Sequence, residues 1–318
     1  MSVKKIVVLG TGGTIAGKAA RAGDNVGYKA GEVSVGELLS GVPGLENVAK
    51  GCELQCEQVA QLDSKDMNFG VWRDLALRCA SLMQDVSVQG VVITHGTDTL
   101  EETAWFLQSV VRTTKPIVLT SAMRPASALT PDGPQNLLDA IAVVLHPQSA
   151  GVMAVAAGVI HGAQSVHKAF PYRVDAFSSG EIGPLGWVEE GEVRWARTAP
   201  QPDDVAPQAG LVAQLPPPEQ WPWVEIVVSG AGASARAVDA LVHAGVRGLV
   251  VAATGNGSLH VELKEALMRA KASGVRVVKS TRCSQGHRIV GDTGDFATYP
   301  GLSPVKARVS LMLDLIGA

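Results

Sequence analysis

The chain has 318 residues, 46% of them hydrophobic and 18% charged, with a formal net charge of -3. That length and apolar content suit two domains with full-sized cores. The absence of a basic block excludes a phosphate-rich partner such as nucleic acid, and no stretch approaches the ~20 apolar residues of a membrane span.

At the N-terminus, Met1-Ser-Val-Lys-Lys precedes only the short apolar run Ile6–Gly10. A secretory core needs about 7–15 apolar residues and a small-residue cleavage site, so a buried first strand and a cytoplasmic location are expected. Cys52, Cys56, Cys79 and Cys283 show no CxxC spacing and are expected as reduced residues in or near the core.

Taken in order, Lys4–Gly10 reads as a buried strand and Ser34–Leu39 as a short helix capped by Ser34. Strand Glu53–Ala60, helix Phe69–Met83, strand Gly90–Thr94 and helix Thr99–Val111 follow. Strand Lys115–Leu119, helix Pro134–Leu145 and strand Val152–Ala157 complete this run. Near-continuous apolar strands alternating with helices predict a mostly parallel sheet covered on both faces. Pro184–Trp187 and Glu192–Trp195 then flank Glu189-Glu190-Gly191 as a hairpin.

Residues 198–223 are rich in proline and read as a linker. Alternation restarts with strand Val224–Ser229, helix Ser234–His243, strand Gly248–Ala252, helix Val261–Ser273, strand Val275–Lys279 and a last helix from Ser303. The expected fold is therefore α/β: a larger N-terminal domain over 1–197, with a mostly parallel sheet flanked by helices, and a smaller C-terminal α/β domain over 224–318. Ligands of such sheets bind beyond the carboxyl ends of the strands.

Two strand-end loops stand out. Gly10-Thr11-Gly12-Gly13-Thr14-Ile15-Ala16-Gly17 follows the first strand. It misses the dinucleotide pattern GxGxxG because Ile15 occupies the last glycine position. It misses the phosphate loop GxxxxGK[ST] because Ala19 stands where a hydroxyl must hold the metal. A plain glycine turn explains the glycines and leaves Thr11 and Thr14 unexplained. Beyond it, Lys18–Gly31 is polar and glycine-rich around Tyr28 and reads as a flap rather than a helix; Tyr28 is either a solvent-facing loop residue or part of a site.

The second loop is Thr94-His95-Gly96-Thr97-Asp98-Thr99-Leu100-Glu101-Glu102. A helix N-terminus accounts for Asp98, Glu101 and Glu102. It leaves Thr97 at a strand end, beside a glycine that permits close approach.

Thr11-Gly-Gly-Thr14-Ile-Ala-Gly17 and His95-Gly-Thr97-Asp98-Thr-Leu-Glu-Glu-Thr103 together resemble the two signatures of the bacterial L-asparaginase family. Ser64-Lys65-Asp66-Met67-Asn68, Ala122-Met123-Arg124-Pro125, Asp132-Gly-Pro134, Gly183-Pro-Leu-Gly186, Gly255-Asn256-Gly257 and Pro304-Val-Lys306-Ala-Arg308 recur in the family's order, so the likeness spans nearly the whole chain.

The resemblance implies hydrolysis of L-asparagine to L-aspartate and ammonia, with minor glutaminase activity and no metal or cofactor. Thr14 would be the nucleophile, tuned by Tyr28 as the flap closes. Thr97, Lys168 and Asp98 would form a proton relay, with the Thr97 backbone N–H as oxyanion donor. Ser64, Lys65, Thr97, Asp98 and Ala122 would bind substrate: Asp98 the α-ammonium, Ser64 the α-carboxylate. Lys65 stands where many members have glutamine, and either draws the carboxylate or points to solvent.

The family also implies a homotetramer of intimate dimers. In its secreted-type members a neighbouring subunit supplies an asparagine and a glutamate; here Ser258 takes the asparagine position and Arg282–Arg308 contains no glutamate. His161 and His167 are read as surface residues or as supporting a site from outside, not as metal ligands. Two other readings compete. An amidase of tRNA-dependent amidation needs an additional N-terminal domain, for which the chain is short, and a nucleotide- or amino-acid-binding module has no use for Thr14.

Overall fold

The computed structural model describes residues 3–21, 23–199, 211–286, 288–289 and 294–317. Two compact units divide the chain, Met1–Ala213 and Gln214–Ala318.

The larger unit opens with β1 (Lys5–Gly12), a short hairpin of β2 (Lys18–Ala19) and β3 (Tyr28–Lys29), α1 (Val35–Ser40) and α2 (Leu45–Ala49). It continues through β4 (Glu53–Leu62), α3 (Phe69–Gln84), β5 (Val88–Thr94), α4 (Leu100–Val110), β6 (Pro116–Thr120), α5 (Gly133–Leu145) and β7 (Gly151–Ala156). Then come β8 (Val159–Gly162), the pair β9 (His167–Lys168) and β10 (Phe177–Ser178), and the hairpin β11 (Gly186–Glu189) and β12 (Glu192–Trp195).

Eight strands form one sheet in the order β12-β11-β8-β7-β6-β5-β1-β4. β4, β1, β5, β6 and β7 run parallel, and β8, β11 and β12 extend the sheet antiparallel. The central strands are apolar on both sides because helices cover both: every residue of β6 and β7 is buried. Ile6, Val8, Val92, Val118 and Met153 pack against α1 and α5 through Val35, Leu39, Leu137 and Ile141. Helices α3 and α4 are a second packed pair.

After β4 the chain crosses to the far side of β1 to build β5. This is the switch point of a doubly wound sheet, where the loops leaving adjacent strands diverge and open a crevice.

The smaller unit has β13 (Val224–Val228), α6 (Arg236–His243), β14 (Gly248–Ala253), α7 (Val261–Ala272), β15 (Arg276–Thr281) and α8 (Pro304–Ile316). Its three strands are parallel, in the order β13-β14-β15. Val227, Leu249 and Val251 pack with Val238, Leu263 and Leu267 of α6 and α7. α8 packs against all three strands.

Some expectations change. Cys79 is buried, but Cys56 and Cys283 are exposed and Cys52 is half-buried, all as free thiols. Cys56 leaves the core because β4 is an edge strand with every residue half-buried or exposed. His161 is buried, not at the surface, with its Nδ1 2.8 Å from Ser179 Oγ. Of the expected 198–223 linker, residues 200–210 lie outside the described residues. The described remainder contains 3-10 turns at Leu211–Gln214 and Pro218–Gln220, and Trp221 is buried with its indole N–H donating to Pro216 O at 3.0 Å.

Candidate active site

β1 and β5 are hydrogen-bonded neighbours, and their C-terminal loops lie side by side. The Thr11 hydroxyl donates to Thr94 O at 2.9 Å, tying the two strand ends together. Beyond Thr11 the backbone bends sharply, with φ of +98° at Gly12 and +80° at Gly13, values that favour glycine.

Gly13 also has to be small. A Cβ built on it would lie 2.4 Å from both N and Cα of Gly96. The backbones of the two loops are in contact, one residue before Thr14 in the first and one residue before Thr97 in the second.

Thr14 opens the 3-10 turn Thr14–Ala16. Its Oγ1 lies 2.7 Å from the hydroxyl of Tyr28, which the β2–β3 hairpin carries back over the loop. Gly17 makes room for the ring, since a Cβ there would come within 2.8 Å of Tyr28 Cδ2.

Thr97 is buried, and its Oγ1 accepts from the Lys168 ammonium at 2.8 Å. The same ammonium reaches Asp98 Oδ1 at 2.5 Å. The lysine side chain is 18% exposed and the Asp98 side chain 51%. The carboxylate can therefore take a second cation from solvent while the ammonium stays withdrawn. Lys168 sits in the two-residue strand β9, paired with Phe177 of β10.

Ser64 joins the cluster from the end of β4. Its Oγ accepts from the Asp98 N–H at 3.1 Å, and its carbonyl accepts from Thr99 Oγ1 at 2.8 Å. With its oxygen engaged by an N–H, the Ser64 hydroxyl keeps its proton for an incoming anion.

Lys65 points outward, 61% exposed and ion-paired with Asp66. Ala122, after β6, is buried against Ile15, Ala16 and Leu38. Its turn is fixed by Asp132, whose carboxylate accepts the N–H groups of Met123 and Arg124 at 2.9 Å each.

The structure thus brings together Thr14 with Tyr28, and Thr97 with Asp98, Lys168 and Ser64. It sets Lys65 toward solvent and Ala122 in the apolar wall. Sequence reasoning overlooked Thr99 and Asp132 as holders of the site; a hydroxyl just before a helix and an Asp-Gly-Pro helix start were the available signals. Among the described residues no group of three or more His, Cys, Asp or Glu is placed to hold a metal ion, and no helix is long and apolar enough to cross a membrane.

Two hydroxyls, one facing a phenol and the other an ammonium–carboxylate pair, are suitable equipment for cleaving an acyl bond. Comparison with known proteins gives this chemistry a family. The model described as Asparaginase, N-terminal matches residues 5–201, and Glutaminase/Asparaginase C-terminal domain matches residues 223–316.

L-asparaginase 2 of Escherichia coli strain K12 is 37% identical over 322 residues, covering 99% of this chain and 90% of that protein. The glutaminase-asparaginase of Pseudomonas fluorescens biotype A is 35% identical over 318 residues, covering 98% and 86%. A crystal structure titled as a probable cytoplasmic L-asparaginase from Campylobacter jejuni matches with a TM-score of 0.91 at 37% identity, over 99% of this chain and 96% of that one. The chain belongs to the asparaginase family.

Proposed function

We propose that this protein hydrolyses L-asparagine to L-aspartate and ammonia, with minor activity on L-glutamine, by way of a β-aspartyl ester on Thr14. The observation that carries the reading is the backbone contact of Gly13 with Gly96, each of which directly precedes one of two differently equipped threonines.

A carboxamide is a weak electrophile, so its carbon needs both an activated nucleophile and a place for negative charge. Thr14 Oγ1 attacks the side-chain amide carbon while its proton passes toward Tyr28, and the carbonyl oxygen turns to the Thr97 N–H. The C–N bond then breaks as the nitrogen takes up the proton that Thr14 released by way of Tyr28, and ammonia leaves. Water attacks the ester, and one of its protons passes through the Thr97–Lys168–Asp98 relay to Thr14 Oγ1 as the ester bond breaks and aspartate departs. The exposed Asp98 carboxylate holds the substrate ammonium, and the Ser64 hydroxyl donates to its α-carboxylate. The backbone beside Ala122 completes the wall. Lys65 faces solvent and is neutralised by its pairing with Asp66, so it takes no part in holding the carboxylate.

Purified protein should release ammonia from L-asparagine faster than from L-glutamine, with or without a chelator. Loss of turnover in chelator, or no ammonia from asparagine, overturns the reading. We further propose the domain division 1–197, 198–223 and 224–318, a homotetramer of intimate dimers and a cytoplasmic location. Support for the location is the name of the Campylobacter jejuni relative; a Haemophilus influenzae relative at 37% identity is named periplasmic, and cell fractionation discriminates.

A further inference from the structure

The loop carrying Thr97 is supported from beneath by a buried hydrogen-bonded column. His95 has no solvent exposure. Its Nδ1 lies 2.7 Å from Gly96 O, and its Nε2 lies 2.9 Å from Thr103 Oγ1. That hydroxyl also receives the indole N–H of Trp72 at 2.9 Å. Trp72 is held in turn by stacking on Phe106, with ring centroids 4.9 Å apart.

Counting protons assigns each role. An indole N–H only donates, and a carbonyl only accepts. Thr103 Oγ1 therefore accepts from Trp72, and His95 Nδ1 carries the proton donated to Gly96 O. A neutral imidazole has one N–H, so Nε2 is an acceptor and takes the Thr103 hydroxyl proton. Burial pushes the His95 pKa down to about 4, so the ring is neutral at ordinary pH.

We propose that His95 is a positioning residue for the oxyanion: by holding the Gly96 carbonyl it aims the Thr97 N–H at the substrate. The Gly96–Thr97 peptide is planar and trans, so its C=O and N–H point in opposite directions and fixing one directs the other. A glycine peptide needs such a lock, because glycine alone offers little resistance to reorientation. Sideways motion is also blocked, since a Cβ on Gly96 would lie 2.4 Å from Ser64 Oγ and 3.2 Å from Gly13 Cα. Among the described residues no protein group accepts the Thr97 N–H. The inference rests on the proposed role of that N–H in asparagine hydrolysis.

Two substitutions separate positioning from packing. Asn at position 95 places its amide N–H near the site of Nδ1 and can keep the bond to Gly96; Gln reaches toward Nε2 and cannot. His95→Asn should keep kcat within about threefold of wild type. His95→Gln, and Thr103→Val, which releases the tautomer, should lose about tenfold or more in kcat with KM for asparagine within about twofold. Equal losses in His95→Asn and His95→Gln, or a loss expressed in KM, overturn the proposal.

Nitrogen-15 shifts of labelled histidine in the wild-type protein supply a measurement that needs no variant. An Nδ1–H tautomer is expected for His95, and an Nε2–H tautomer overturns the inference. Thr14→Ala measured alongside separates the two levels. If it retains turnover, the reading of the site fails; if it is inactive while His95→Gln keeps wild-type kcat, only the present inference fails.

Discussion

Asp139 is buried on α5, with one carboxylate oxygen accepting from Gln135 Nε2 at 2.8 Å. Burial pushes its carboxyl up from 3.8 to about 6. Between those values the folded protein holds a proton that the unfolded chain has released. Asp139 therefore favours folding fully below pH ~4, and that contribution is lost as pH rises through about 6.

His95 acts in the opposite sense. Its pKa falls from 6.5 to about 4, so the unfolded chain takes up a proton that the folded state refuses. Stability from His95 is present above pH ~6.5 and is lost as pH drops toward 4. Asp139→Asn keeps the Gln135 bond and removes the ionised penalty. It should stabilise the protein on the order of 2 kcal/mol at pH 7, leave pH 4 nearly unchanged, and so reveal the acid sensitivity contributed by His95. Urea unfolding at the two pH values checks this; an equal gain at both contradicts it.

At the scale of elements, the site is made by short irregular pieces on long regular ones. Strands β1, β5, β6 and β7 and helices α3, α4 and α5 were legible because their apolar periods run long enough to count. The capping box at Ser34 and Glu37, by which α1 begins, was legible from Ser34.

The two-residue strands β2, β3, β9 and β10 were not, since two residues carry no period. Lys168 lies on one of them, so its approach to Thr97 reached the sequence reading only through family likeness. The Trp72–Thr103–His95 column was equally hidden. It joins α3, α4 and the β5 loop through contacts that only the folded sheet creates.

Gly17 tests how finely these pieces are fitted. Its φ of −83° tolerates a side chain, but an added Cβ would lie 2.8 Å from the Tyr28 ring and 2.9 Å from Thr14 O. Gly17→Ala should displace Tyr28 from Thr14, lowering kcat about tenfold or more while shifting Tm by only a few degrees. Unchanged kcat contradicts the assigned role of the hairpin.

On the scale of the whole molecule, one doubly wound sheet explains why residues distant in sequence meet. Parallel strands send all their C-terminal loops to one edge, and the reversal at β1 opens the crevice there. Thr14, Ser64, Thr97 and Lys168 all belong to the larger unit. The proposed tetramer is a separate matter: sedimentation equilibrium at micromolar concentration should return four times the 33.0 kDa chain mass. A mass of one chain would overturn the proposed tetramer.

The central claim is that two threonines share one reaction. Ammonia release from L-asparagine by Thr14→Ala and Thr97→Val, set against wild type at saturating substrate, tests it most directly. Both variants should fall by about a thousandfold or more; normal turnover in either would contradict the account.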